Sequence, residues 1–476
     1  MTALSRQTLS QLPDAVARPS YLDREPTVGI AHIGVGNFHR SHQAMYVDRV
    51  LNETPDAPWA ICGIGVREED RGLLDALRGQ DGLYSLSLFE SDGAVTSRVI
   101  GSLREFVLVP DDPAAAVARL ADPDIRIVSM TITESGYVED PENSRTAGDD
   151  PVVRADAAGD FAAPRSAFGL IVAALRARRD AGVPAFTVSS CDNVQNNGTV
   201  AKRSVVATAR LASDELADWI DQSVAFPSTM VDRITPRATA AQLETVASLL
   251  GDVTDAAAVV AEPFEQWVLE ENFALGRPAV ENHGAVFVDE IDTYEFMKLR
   301  LLNAGHQVLA YVGLLRGHTY AHEAMADVEV TRWLERYWNE LALPTTELPV
   351  GVDGAEYVRV LGERFGNPAI ADTLERLATD SGDRMSKFVM PVLMQARDRE
   401  TFGEVASRIL ASYAVAVAET ASPVILASVS DEVLVALRNE GDPAGFLTEI
   451  DWLAPLADDE QLRAAVAAQV RALRAR

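Results

Sequence analysis

Short, nearly uninterrupted apolar runs dominate the first 290 residues, and helix-period patterns dominate the rest. Strands are predicted at 28–33 (VGIAHI), 59–66 (WAICGIGV), 83–89, 104–109, 125–133 (IRIVSMTIT), 185–190 (AFTVSS) and 258–261. Continuous apolar runs of this length suit parallel strands buried on both faces. Between them lie helices with readable ends. Asp112-Pro113 supplies a cap and first turn, Ser166 opens a helix that closes at Gly182, and Ala44, Val47 and Leu51 keep helical spacing after the first strand. Strands alternating with helices predict an α/β sheet with crossovers. The acidic stretch Val138 to Asp160 reads as a surface excursion.

From about residue 290 the period changes. YEFMKLRLLNAGHQVLAYVGLLRG, VTRWLERYWNEL, EYVRVLGERF, IADTLERLAT, VASRILASYAVAVAE and LRAAVAAQVRALRAR all keep helical spacing, with no convincing β run among them. The pattern predicts an α/β domain over 1–287 and a mainly α-helical domain over 288–476, with the seam within residues 284 to 295.

Composition narrows the function classes. The 42 basic and 71 acidic residues leave a formal charge of −29, which disfavours nucleic acid and anionic membranes as partners. Cys62 and Cys191 lie far apart in apolar runs, so no disulfide framework is expected. The N-terminus lacks a signal-peptide core and no run reaches 18 apolar residues, which points to a cytoplasmic protein.

Ligands of doubly wound sheets bind beyond the carboxyl ends of the strands, so the residues following each strand carry the chemistry. After 28–33 stand Gly34, Val35, Gly36, Asn37 and Phe38, with a helix behind them. Glycines allow close backbone approach to a pyrophosphate, and a helix N-terminus supplies free N–H groups. His39 occupies the place of the usual third glycine; with Arg40 and His42 it is expected to line the first helical turn, near the phosphates and the facing helical domain. The second strand leads into Glu68 and Glu69, where acids would meet the ribose hydroxyls of NAD; a solvated helix start is the alternative, and Arg67 and Arg71 leave some NADP use open. Thr133 and Glu134 follow 125–133 and are expected beside the nicotinamide. Asn193, after 185–190, is either a donor to a substrate oxygen or a helix cap.

The richest cluster opens the helical domain: Glu295, Lys298, Asn303 and His306. At about 100° per residue, Asn303 and His306 fall roughly 140° and 80° round from Lys298, so the three can share one broad face. A lysine in a dry cleft has its pKa lowered and can serve as a general base. His39 with His42, and His318 with His322, have metal-compatible spacing but lack acidic or cysteine partners, so no metal is expected. Cys191 reads as a small buried residue rather than a nucleophile.

Together HIGVGNFHRSHQ, TITESGY, SCDNVQNNG, MVDRITP, EPFEQWVLE and KLRLLNAGHQVLAY resemble the polyol-specific long-chain dehydrogenases, and most the mannitol 2-dehydrogenases among them. The resemblance runs from about Tyr21 to beyond Phe388 and is weaker at the end. It implies a Rossmann-type N-terminal domain, a helical C-terminal domain and a metal-independent site in the cleft between them. It further implies NAD-dependent interconversion of D-mannitol and D-fructose by a monomer or weak homodimer. In that reading Lys298 is the general base, Asn193 and Asn303 stabilise the alkoxide, His306 orients the substrate, and Glu295 passes the proton to solvent. Asp232, Arg384 and Lys387 would bind polyol hydroxyls. DSGDRMSKF departs from the family in carrying Ser386 where a proline is usual, so the backbone there is expected to differ. A D-arabinitol 4-dehydrogenase and a fructuronate reductase are the rivals within the family, and a non-catalytic NAD-binding sensor is the rival outside it.

Overall fold

The computed structural model describes residues 2–139 and 146–475. The chain divides into two compact units at Ile291/Asp292. Each has its own apolar core.

The first unit is built on a five-stranded parallel sheet: β1 (Val28–Ile33), β2 (Ala60–Gly65), β3 (Leu103–Leu108), β4 (Ile127–Met130) and β5 (Thr187–Ser190), in spatial order β3-β2-β1-β4-β5. Every residue of β1 is buried, as its unbroken apolar run requires. Strand order reverses between β1 and its neighbours β2 and β4, and such a reversal opens a ligand crevice at the carboxyl edge. The predicted helix ends are present. Asp112 accepts a bond from the Ala115 N–H at 3.0 Å, Ser166 Oγ accepts from the Gly169 N–H at 2.9 Å, and Gly182 takes the left-handed conformation at φ 68°.

Three expectations need correction. Runs 83–89 and 258–261 do not join the central sheet: Tyr84–Phe89 pairs parallel with Val259–Ala261 and antiparallel with Val95–Ile100 in a separate sheet. Run 125–133 is strand only to Met130, because Asp192 takes the N–H groups of Ile132 and Thr133 out of the ladder. The stretch 138–160 is more than an excursion. Residues 140–145 lie outside the described part, but Pro151–Ala158 is a helix whose buried Asp156 accepts bonds from the N–H groups of Arg165 and Ser166. Thr229–Asp232, Gln266–Glu270 and Val286–Val288 form a third, mixed sheet, also unforeseen.

The second unit is helical. Its central helix, Phe402–Glu419, is almost wholly buried and packs against Glu460–Arg474. The run IADTLERLAT gives only one short helix, Leu374–Leu377. Three stretches are π-helical: Lys298–Asn303, Tyr337–Ala342 and Met385–Val389. No helix among the described residues is long and apolar enough to cross a membrane.

Candidate active site

The loop after β1 requires glycine at position 34. Its φ is +92°, and a Cβ there would stand 2.1 Å from the carbonyl oxygen of Thr131. Gly36 differs. A Cβ on it would meet nothing nearer than the Gly34 oxygen at 3.8 Å, so the protein leaves open the approach that a pyrophosphate uses. Gly36 precedes the short helix Asn37–Ser41 without a side-chain cap, and the first N–H groups of a helix have no intrahelical acceptor. These features fit a dinucleotide phosphate. Val35 is buried in the core and contributes backbone only, Asn37 Oδ1 accepts from Arg40 at 2.7 Å, and Phe38 stacks on His42.

His39, Arg40 and His42 do not line the phosphates as expected, because all three point into the first unit and are buried. His39 stacks on His32 with ring centroids 3.4 Å apart. Arg40 donates to the carbonyls of Gly36 and Ala257, while His42 donates to the Gln266 carbonyl at 3.0 Å. Nothing in the strand pattern singles out His32, a residue of β1. Its Nδ1 lies 2.8 Å from Ser129 Oγ and its Nε2 3.0 Å from Thr131 Oγ1, which itself donates to the Gly34 carbonyl at 2.7 Å. Burial pushes the His32 imidazole down to about 3, so it is neutral and ties the loop to β4.

Glu68 and Glu69 both stand exposed after β2. Glu68 accepts two bonds from Arg71, at 2.6 and 3.0 Å, and Arg71 also grips Asp111, so the guanidinium holds the Glu68 carboxyl below its usual range. Glu68 is thus engaged at the helix start, and Glu69 is the more open carboxylate.

At the carboxyl edges of β4 and β5 the two predicted loops are joined. Thr133 has φ 65° and ψ 165°, an outlier for a β-branched residue. Asp192, 8% exposed, accepts from the N–H of Ile132 at 3.0 Å, the N–H of Thr133 at 2.9 Å and the Tyr137 hydroxyl at 2.8 Å. Burial pushes its carboxyl up to about 6 against these bonds. Asn193, next in sequence, is exposed and is not the helix cap, since the helix begins at Asn197 behind Asn196. The buried Asn197 amide donates to the carbonyls of Asp192 and Thr229, connecting this edge to the strand that ends in Asp232, itself buried. Gly198 permits that approach, because a Cβ there would lie 2.6 Å from the Phe226 oxygen. Cys191 is buried, its thiol pushed up to about 12, which makes it no nucleophile.

In the second unit Glu295, Lys298 and His306 are buried and Asn303 is half-buried; Lys298 is 6% exposed, so it is no surface lysine. The α-helical arithmetic fails here, since Lys298–Asn303 forms a π stretch with i to i+5 bonding. Five residues then make about one turn, bringing Asn303 closer to the Lys298 face than 140° implies. The cause is tertiary. Tyr337 donates to the Arg300 carbonyl at 2.9 Å and Trp338 Nε1 to the Leu301 carbonyl at 2.8 Å. Trp338 reaches that position because residue 305 is glycine, whose Cβ would stand 2.8 Å from the indole nitrogen. His306 stacks on Phe365 at 4.1 Å; burial, then Arg376, Arg364 and Arg384, keep it well below the usual imidazole range and hence neutral.

Arg384 donates to the carbonyls of Arg376 and Leu377, and Lys387 pairs with Asp383 at 3.0 Å. Ser386 lies in the π stretch Met385–Val389, inside a helical run continuing to Gln395. His318 bonds Asp327, and His322 stacks on Tyr320. Among the described residues no group of three His, Cys, Asp or Glu side chains could hold a metal.

Comparison with known proteins covers both units. Residues 28–282 match the mannitol dehydrogenase Rossmann domain and residues 290–474 the mannitol dehydrogenase C-terminal domain. A mannitol 2-dehydrogenase of Cereibacter sphaeroides is 44% identical over 80% of this chain and 78% of its own. A polyol:NADP oxidoreductase of Gluconobacter oxydans is 41% identical over 81% of this chain and 79% of its own. Among solved structures, a D-sorbitol dehydrogenase in substrate-free form superposes with a TM-score of 0.90 at 36% identity, covering 99% of this chain and 98% of the other. The Pseudomonas fluorescens mannitol 2-dehydrogenase, in a ternary complex with NAD and D-mannitol, superposes with a TM-score of 0.87 at 38% identity, covering 99% and 97%. With both of its units matched and relatives above 40% identity over most of its length, the chain belongs to the mannitol dehydrogenase family.

Proposed function

We propose that the protein is a metal-independent, NAD-dependent polyol dehydrogenase that interconverts D-mannitol and D-fructose. The observation that carries the reading is a conjunction in one chain: a switch-point loop that tolerates only glycine at 34, and a buried lysine opening a π-helical turn that also holds Asn303. NAD, when bound, accepts the hydride from the alcohol carbon. Gly34 to Phe38 cradle its phosphates through backbone N–H groups, and Glu69, with Glu68, meets its ribose hydroxyls. Thr133 and Glu134 flank the nicotinamide.

Lys298 takes the proton of the reacting hydroxyl. The side-chain amides of Asn193 and Asn303 donate to the developing alkoxide, which stabilises charge that appears only on the way to ketone. Neutral His306 can both donate to and accept from a polyol hydroxyl. Asp232, Arg384 and Lys387 fix the remaining hydroxyls, and Glu295 relays the proton from Lys298 to solvent. The buried, free cysteines suit a reducing cytoplasm.

One observation favours a second substrate class. The three guanidinium groups acting on His306 would also suit a carboxylate, as in fructuronate. Initial rates of NADH oxidation with fructose, xylulose, fructuronate and tagaturonate decide between them. The proposal expects the highest kcat/KM with fructose; a higher value with fructuronate makes the protein a uronate reductase, and no turnover of any of the four makes it a sensor.

A further inference from the structure

Asp192 joins two loops that lie 60 residues apart in sequence and that the reading above assigns to the nicotinamide and the alkoxide. Its two carboxylate oxygens are spent on adjacent backbone N–H groups, Oδ2 on Ile132 and Oδ1 on Thr133, and Oδ2 also accepts the Tyr137 hydroxyl. The residue so held, Thr133, has a positive φ that a threonine abandons unless its surroundings enforce it. Its neighbour Glu134 begins a short 3-10 turn ending at Gly136, so a relaxed Thr133 would redirect the whole TESG turn. On the other side the Asp192 carbonyl accepts from Asn197, which leaves Asn193 projecting from a backbone fixed at both ends.

We infer that Asp192 is a positioning residue whose carboxylate clamps Thr133 in its strained conformation and thereby sets the nicotinamide side of the cofactor site. This rests on the proposed NAD-dependent reading of the same edge. Both carboxylate oxygens are needed as acceptors. A protonated Asp192 must turn one oxygen into a donor, and the N–H facing that oxygen loses its partner. The titratable neighbours are Tyr137 and Glu134, from the segment after β4, and Cys191 beside it; burial holds both Tyr137 and Cys191 protonated, so Asp192 itself is the group that ionises near pH 6.

Asp192→Asn reproduces the protonated form in shape and removes the titration, so it separates positioning from general structure. In the intact enzyme, kcat/KM for NAD is expected to fall as pH drops through about 6. At pH 8 Asp192→Asn is expected to lose about tenfold or more in kcat/KM for NAD, as release of a strained residue implies, and to lack the step near pH 6, keeping only the acid limb that the Lys298 base imposes. Thr133→Gly introduced beside it should restore much of the loss, because glycine adopts positive φ without a clamp. Asp192→Asn with unchanged kcat/KM at pH 8, or with the parent's step near pH 6, would overturn the inference. Should Asp192→Asn fail to fold, Thr133→Gly alone serves. It should flatten the parent's step near pH 6, and an unaltered step overturns the clamp. A parent enzyme that neither binds NADH nor turns over any ketose would instead overturn the functional reading, leaving this outcome distinct.

Discussion

The two units hold their candidate residues by different means. In the first, Gly34, Thr133 and Asn193 follow the ends of strands whose ladders fix them and Asp232 closes another, while neighbouring side chains, His32, Thr131, Asp192 and the helix residue Asn197, lock the loops. In the second, Lys298, Asn303 and His306 ride on one helix whose register is altered by Tyr337 and Trp338, which take two of its carbonyls. A strand end places a loop by local pairing. A π stretch places side chains through contacts made by another helix, which makes their placement sensitive to packing 37 residues away in sequence.

Substitution of Lys298 should cost the second unit the most. Lys298→Ala is expected to lower turnover by about a thousandfold, the middle of what a general base contributes, as measured by steady-state mannitol oxidation. Next is Gly34→Ala. Its Cβ clash with the Thr131 carbonyl and its strained φ should cost ~3 kcal/mol in cofactor binding, about a hundredfold in NADH affinity, while kcat at saturating NAD changes little. Trp338→Phe sharpens the comparison from the other side. Losing one donor to a buried carbonyl should lower kcat by about tenfold and leave NADH affinity as it was; an unaffected kcat would mean that the π stretch does not depend on that bond.

Smaller still is the cofactor preference. Replacing Glu68 and Glu69 by Gln should raise the NADP-to-NAD ratio of kcat/KM by about fivefold, with Glu69→Gln giving most of it because Glu68 is already bound to Arg71. The gentlest test is acid stability. His306 is held below the ordinary imidazole pKa of about 6.5, so the unfolded chain binds the proton first and the stability due to neutral burial, present above that pH, is lost as pH falls. His32 acts in the same direction over the window from 6.5 to about 3, whereas Asp192, raised to about 6, opposes it. Chemical denaturation at pH 6.5, 5.5 and 4.5 should show His306→Gln losing less stability on acidification than the parent, by up to about 1.4 kcal/mol per pH unit.

How far the sequence could be read follows the same division. Strand β1, its glycines and the capped helices at Asp112 and Ser166 were legible because local pattern and local physics agree there. Val95–Ile100 was not, since VTSRVI carries polar residues on an edge strand and shows no apolar run. Among the candidate site residues, Lys298 and Asn303 stand out in the sequence, but their relative placement does not: periodicity assumes α geometry, and nothing within KLRLLN announces that Trp338 will claim the Leu301 carbonyl. Gly305 was the available signal, a small residue in the middle of a good helix former. Asp192 was missed because its partners lie 60 residues upstream, and His39 was misplaced because a motif position does not say which way a side chain turns.

In the proposed mechanism the first unit holds the cofactor while Lys298 of the second moves the proton. Fluorescence titration of NADH into Lys298→Ala tests it most directly. An affinity within about threefold of the parent's, alongside lost turnover, is the predicted result; turnover and NADH affinity falling together, or turnover persisting without the lysine, would contradict it.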